Sequence, residues 1–279
     1  MLTTMPELPE VESICRSLKP IILGETITEL LVHNDKLRWP VLANISEQAG
    51  GLTIRNIARR AKYLLMVGDK GSLIWHFGMS GSLRVASIGE ERRRHDHVEL
   101  LFGDKVLLRF YDPRKFGSLH WGGRDPLVHP LLVNLGVEPL SEQFNSSYFA
   151  AHCRKTTVPI KGLLLNAAVV VGVGNIYASE ALFRAGVNPS RSASSLSSAE
   201  IEAVCRAVRD VLAQAVASGG TTLRDYVNGK GEPGLFKDCL MVYGRHGEPC
   251  KACSTKICRS VVSNRSSFFC PLCQPIRSL

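Results

Sequence analysis

The last thirty residues hold Cys250-x2-Cys253 and Cys270-x2-Cys273, with 16 residues between the pairs. No other feature constrains the fold as tightly. Each pair supplies two thiolates from one tight turn, and two turns close a tetrahedron, the donor set of a zinc site. Four thiolates leave no open coordination position, so the ion's role is structural. A module of about 30 residues buries too little apolar surface to fold unaided, so it depends on its metal. Cys258 lies between the pairs and is read as a bystander. The chain has nine cysteines. An odd number excludes a fully paired disulfide framework and fits a reducing, cytoplasmic setting.

The rest of the chain is long enough for about two domains. Apolar residues make up 45% and charged residues 21%, which fits a globular protein and excludes disordered and fibrous classes. Lys+Arg 34 against Asp+Glu 25 gives +9, with a pI near 9.2. Such a balance favours an anionic partner, a nucleic acid or an acidic membrane surface. From Arg224 onward nine basic residues face four acidic ones, or +5. Arg265, at the far end of the metal module, is the candidate for a phosphate contact. The longest apolar run, 167–173, falls far short of the roughly 20 residues that cross a bilayer. Glu7, Glu10 and Glu12 near the start argue against a leader peptide. The histidines show no spacing for a second metal, and no other cofactor is expected.

Local patterns divide the chain. Pro9 followed by Glu10, Val11, Glu12, Ile14, Cys15 and Leu18 predicts a helix, with proline in its first turn and glutamates at its positive end. Segments 26–32, 52–58, 62–67, 72–76, 82–86, 97–102 and 105–111 are short, rich in β-branched and aromatic residues, and set apart by turns such as Gly103-Asp104. This spacing predicts a β-sandwich or barrel over about residues 20–125. Residues 136–144 read as a linker. Beyond it the period becomes helical. Ser197-Ser198-Ala199-Glu200 is a capping box, an apolar stripe runs from Ile201 to Ala215, and Gly219-Gly220 ends the helix. Residues 229–234 read as a mobile loop, and a small final module begins near Leu240.

Six separated motifs are similar to the bacterial formamidopyrimidine-DNA glycosylase family. They are Pro6-Glu7-Leu8-Pro9-Glu10-Val11-Glu12, Arg60-Ala61-Lys62-Tyr63, the HFGMSGSL run at 76–83, the DPRKFG run at 112–117, the GVGNIYASE run at 172–180, and the finger that ends at Gln274. The resemblance implies an α+β chain of two domains. An N-terminal β-sandwich flanked by helices (1–135) would precede a helical helix–two-turn–helix domain (136–238) with a terminal four-cysteine zinc finger (239–279). It implies a bifunctional glycosylase and abasic-site lyase for oxidised purines, acting as a monomer on damaged duplex DNA, with no membrane partner.

The family's nucleophile is the amine of an N-terminal proline, which corresponds to Pro6. The family starts at the methionine before that proline, so translation is expected to begin at Met5, with Met1–Thr4 outside the mature protein. Glu7 corresponds to the acid that opens the sugar, and Glu10 orients the terminus. Lys62 corresponds to a phosphate-binding lysine; taken alone it is an ordinary strand-edge lysine. Met79, Arg114 and Phe116 correspond to the wedge that fills the gap left by an extruded base. Asn175 and Arg265 correspond to further phosphate contacts. Asn166-Ala167-Ala168 is less polar than expected of the family's first turn. Residues 221–236 correspond to a loop over the flipped base. Two other classes compete with this reading. One is an endonuclease-VIII-like enzyme for oxidised pyrimidines, against which Leu8 counts, because that group typically has glycine there. The other is a zinc-finger damage-binding protein without catalysis, which explains the charge and cysteines but not Met5-Pro6-Glu7.

Overall fold

A computed structural model describes residues 5–222 and 228–276. The expectations for Met1–Thr4, and for the stretch 223–227 of the expected loop, lie outside the described residues. The chain divides into two compact units. One runs up to Asn134 and takes in Ser218–Leu235; the other comprises Leu135–Ala217 and Phe236–Leu279.

The first unit opens with α1 (Leu8–Ile22), which carries Pro9 in its first turn and buries Leu8, Val11, Ile14, Leu18 and Ile22 on one stripe. Eight strands follow: β1 (Glu29–Val32), β2 (Ile54–Arg60), β3 (Tyr63–Gly68), β4 (Ser72–His76), β5 (Ser82–Ala86), β6 (Asp96–Phe102), β7 (Val106–Tyr111) and β8 (Ser118–Trp121), with a short α2 (Ile45–Ala49) after β1. They form two four-stranded antiparallel sheets, ordered β1-β6-β7-β5 and β2-β3-β4-β8. The core between them is apolar, with Trp75 of β4 against Phe110 of β7 at 5.4 Å between ring centroids. This is the expected sandwich. The strand β8 was not foreseen: Ser118-Leu119-His120-Trp121 alternates polar and apolar but is only four residues long, and it pairs with the already buried β4.

In the second unit, α3 (Ser146–Cys153), α4 (Ile160–Leu164), α5 (Asn175–Arg184) and α6 (Ser198–Ala217) precede a hairpin of β9 (Cys258–Val262) and β10 (Arg265–Phe269). The segment between α4 and α5 makes two successive turns, the helix–two-turn–helix arrangement. The helix α6 starts with the expected capping box. The Glu200 amide donates to Ser197 Oγ at 3.3 Å, and the Ser197 amide donates to Glu200 Oε2 at 2.9 Å. No described helix is long and apolar enough to cross a membrane.

Candidate active site and nucleic-acid interface

The start of α1 is an enclosed polar region of the first unit. Pro6 is buried, Glu7 is 3% exposed and Glu10 is 2% exposed. Glu7 sits at the N-cap with extended backbone. Glu10 uses both carboxylate oxygens: Oε2 accepts the Glu7 amide at 2.8 Å, and Oε1 accepts the Thr221 amide at 2.7 Å. It therefore joins residues 6 and 7 to the foot of the 218–235 segment. Gly220 makes this approach possible. Its φ is +88°, and a Cβ there would lie 3.0 Å from Glu10 Oε1, a backbone state natural only to glycine. Further along, the Gly229 amide donates to Ser17 Oγ at 2.9 Å and its carbonyl accepts the Val85 amide at 3.0 Å. Both described feet of the segment are thus fixed to the α1 side of the sandwich.

Lys62 occupies the two-residue turn between β2 and β3. Its neighbour Ala61 has φ +55°, a left-handed state that costs an alanine about 1–2 kcal/mol. Arg59 steadies the turn by donating to the Ala61 carbonyl at 3.0 Å and to Glu12 of α1 at 3.1 Å. His76 lies opposite Tyr63 in the register, their rings 4.9 Å apart. Burial, with help from the Lys62 and Arg38 charges, lowers its pKa to about 4. It is neutral at pH 7. Its Nδ1 accepts the Gly78 amide at 3.1 Å, so its proton sits on Nε2.

Met79, Arg114 and Phe116 are brought together at one edge of the sandwich. Gly78 packs directly on the other loop: its φ is +58°, and a Cβ there would stand 2.3 Å from the Phe116 carbonyl carbon. The organiser of both loops is Asp112, fully buried. Its Oδ1 accepts Ser80 Oγ at 2.7 Å and the Arg114 amide at 3.3 Å, and its Oδ2 accepts the Gly117 amide at 2.7 Å. Its carbonyl is bonded to His97 Nε2 at 2.8 Å. Phe116 is 43% exposed, and the Arg114 guanidinium lies 4.9 Å above its ring. An apolar ring and a planar cation therefore stand outside the protein on a rigid base. Sequence reasoning passed over Asp112 and Ser80, although both lie inside the quoted motifs.

In the second unit, Asn175 and Arg265 meet through Ser266. Asn175, the first residue of α5, donates from Nδ2 to the Ser266 carbonyl at 3.0 Å. Lys161, fully buried on α4, donates to the same carbonyl at 3.0 Å and to Ser267 Oγ at 2.8 Å. Asn175 therefore commits one of its two amide N–H groups to the hairpin that carries Arg265. The Arg265 side chain is exposed. Glu180, 4% exposed, accepts the amides of Met241, Val242 and Tyr243 at 2.8–3.0 Å and fixes the start of the terminal module to α5. In the first turn, the exposed Ala168 amide donates to Asn166 Oδ1 at 3.0 Å.

The four cysteines converge. Their sulfur atoms lie within 4.8 Å of one another, with Cys253 to Cys270 and Cys253 to Cys273 at 3.4 Å and Cys250 to Cys273 at 4.0 Å. A tetrahedral ion with Zn–S bonds of about 2.3 Å needs S···S edges of about 3.8 Å, so the donor set fits zinc. Burial and the neighbouring thiols push Cys273 upward, whereas hydrogen bonds from Thr255 draw Cys253 down to about 6. Crowded thiols oppose one another's ionisation; a dication removes that conflict.

Comparison with known proteins decides the family. Residues 5–119 match the formamidopyrimidine-DNA glycosylase N-terminal domain, 135–227 match its H2TH domain, and 247–276 match a zinc finger found in FPG and IleRS. This chain belongs to the formamidopyrimidine-DNA glycosylase family. The formamidopyrimidine-DNA glycosylase of Marinobacter nauticus is 47% identical over 270 residues, covering 97% of this chain and all of that protein. That of Geobacter sulfurreducens is 46% identical with the same coverage. Among solved structures, the MutM (Fpg) protein of Thermus thermophilus is 41% identical with a TM-score of 0.87, covering 98% of this chain and 100% of that one. A Lactococcus lactis Fpg variant bound to Fapy-dG-containing DNA is 34% identical, with a TM-score of 0.90 over 97% and 100% of the two chains. The Lactococcus lactis Fpg complex with abasic-site DNA gives 33% and 0.89 over 96% and 99%. As a member of this glycosylase family the chain is an enzyme, and its four-cysteine finger is the family's zinc site.

Proposed function

We propose that this chain excises oxidised purines, 8-oxoguanine and ring-opened formamidopyrimidines, from duplex DNA and then cuts the strand by β- and δ-elimination. The observation that carries this reading is the enclosed start of α1, where Pro6 precedes a buried Glu7, in a chain whose family match begins at residue 5. The named relatives solved with Fapy-dG and abasic-site DNA support the substrate class.

Pro6 is the nucleophile once it becomes the chain terminus, through translation from Met5 and removal of that methionine. As an internal residue its nitrogen is a tertiary amide with no free pair. As an α-amine, with pKa about 7.7–8 against about 10.4 for lysine, roughly a quarter is free base at pH 7.4. The positive end of α1 depresses it further. The amine attacks C1′, the bond to the base breaks, and the base leaves with a proton. Glu7 protonates the ring oxygen as the sugar opens. The resulting iminium carries a permanent charge because proline is a secondary amine. It acidifies the C2′ proton, whose departure expels the 3′ phosphate.

Lys62 holds a phosphate beside the reacting sugar. Met79, Arg114 and Phe116 enter the gap, with the Arg114 fork meeting the orphaned base. Arg265 grips backbone from the finger, and Asn175 supports it by holding Ser266. Zinc bound by Cys250, Cys253, Cys270 and Cys273 keeps that finger folded. On this reading residues 1–135 carry catalysis, while 136–238 and 239–279 grip the DNA. The enzyme works as a monomer on chromosomal DNA, hence in the cytoplasm. A substrate panel tests the proposal. Release of 8-oxoguanine well ahead of thymine glycol supports it; the reverse order makes this an oxidised-pyrimidine enzyme.

A further inference from the structure

Between β5 and β6 the chain carries Arg92, Arg93 and Arg94 in succession, all exposed. A run of like charges on a loop is usually solvated and loosely held. This one is framed from beneath. Arg109 on β7, only 4% exposed, donates from Nη1 to the Glu91 carbonyl at 3.0 Å and from Nη2 to the Glu90 carbonyl at 2.6 Å, while its Nε pairs with Glu99 at 2.6 Å. Asp96, fully buried, accepts the Arg93 amide at 2.9 Å. The Asp112 amide donates to the His95 carbonyl at 3.0 Å, so the residue that organises the Met79 and Arg114 loops also fixes the end of this one.

The acids near the run do not cancel it. Glu90 bonds Arg84 at 3.0 Å and lies 3.5 Å from Arg109 and 3.8 Å from Arg93. The Arg84 hydrogen bond foremost, then the Ser87 amide and the charges of Arg84 and Arg109, hold its carboxyl below the usual range. Glu91 is the other acid of the loop and is exposed. Arg92 spends one nitrogen on the Asp96 carbonyl at 3.2 Å. The Arg94 guanidinium has no partner among the described residues. Burying a charged arginine and an aspartate is strongly unfavourable until each is paired. What that expense secures here is the backbone course of a loop whose outward groups are cations.

We propose that Arg92 and Arg94 form a second contact to the DNA backbone, on phosphates beside the Met79–Arg114–Phe116 edge and away from the extruded nucleotide. It rests on the reading above that DNA lies along that edge. Guanidinium forks on a fixed loop suit phosphate oxygens bidentately and carry no base information. The contact therefore strengthens binding to damaged and undamaged duplex alike and assists the search for lesions.

The test uses the full chain with zinc bound and an undamaged duplex, with anisotropy measured between 50 and 200 mM salt. R92A/R94A is expected to raise Kd about tenfold near 100 mM salt and to lower the slope of log K against log salt by about two, since each released phosphate contact contributes about 0.9. R92K/R94K keeps the charge and restores the slope, which separates loss of contact from loss of fold. An unchanged slope in R92A/R94A, or an equal loss in R92K/R94K, overturns the proposal. Excision of 8-oxoguanine by the unmodified chain is scored in parallel: its failure would remove the functional reading, whereas the slope on undamaged duplex decides the loop by itself.

Discussion

Removing the Asp112 carboxylate tests whether one buried group holds both wedge loops. Asp112 is fully buried and accepts Ser80 Oγ and the Gly117 amide, each at 2.7 Å, with the Arg114 amide at 3.3 Å. A hydrogen bond to a charged group contributes about 1.5–3 kcal/mol, and a donor left buried and unpaired adds its own penalty. Losing the two short bonds in D112A should therefore destabilise the first unit by about 3–5 kcal/mol. D112N should cost only about 1–2 kcal/mol, because its amide oxygen can still face Gly117 while Ser80 turns its hydroxyl to accept. S80A alone severs the Met79 side. In the double variant its effect should fall short of additivity by about 1–2 kcal/mol, since the two groups share one bond. Urea titration followed by hydrogen exchange over residues 112–117 measures both quantities. If D112A costs under about 1 kcal/mol, or if S80A and D112A add fully, the carboxylate is not the organiser described here.

Three further outcomes are expected. C253S, or prolonged chelation, should unfold the finger and abolish tight DNA binding, because structural zinc contributes about 10–16 kcal/mol in small finger modules; full affinity in metal-free protein contradicts this. R265A should weaken binding to damaged and undamaged duplex equally and lower the salt slope by about one; a loss confined to damaged DNA would make Arg265 a lesion reader. His76 is neutral when folded, with a pKa of about 4, and near 6.5 when unfolded. The unfolded chain thus binds the extra proton between those values, so stability is full above pH 6.5 and falls as pH drops toward 4, by about 1.4 kcal/mol per unit. H76Q should flatten unfolding free energy against pH by that amount; an unchanged profile assigns the acid sensitivity elsewhere.

Much of the fold was legible because its signals are local. The apolar stripe of α1, the β-branched and aromatic segments set apart by turns, and the capping box of α6 each lie within a few residues. The zinc site was legible for the same reason, since each CxxC turn declares its own geometry. The strand β8 was not, because Ser118–Trp121 becomes a strand only through the free edge of β4. The residues that hold the site together were invisible for a deeper reason. Asp112, Lys161, Glu180 and Arg109 act by converging on backbone groups from distant segments: Lys161 reaches Ser266 across 105 positions, and Glu180 reaches Tyr243 across 63. A single charged residue in a sequence carries no mark of such a destination. Asn175 shows the same limit. The resemblance made it a phosphate contact, and nothing in the sequence marks that its Nδ2 also bonds the Ser266 carbonyl, 91 positions away.

The central claim is that the Pro6 amine forms a covalent imine with the damaged sugar. It is tested most directly by borohydride trapping. Protein translated from Met5, with that methionine removed, is mixed with duplex DNA bearing one 8-oxoguanine opposite cytosine, then reduced and mapped by mass spectrometry. The account predicts a stable cross-link on the peptide that begins at Pro6, and none from a chain in which Met1–Met5 remain attached. A cross-link on a lysine, or efficient strand cleavage by the chain that retains those residues, would contradict it.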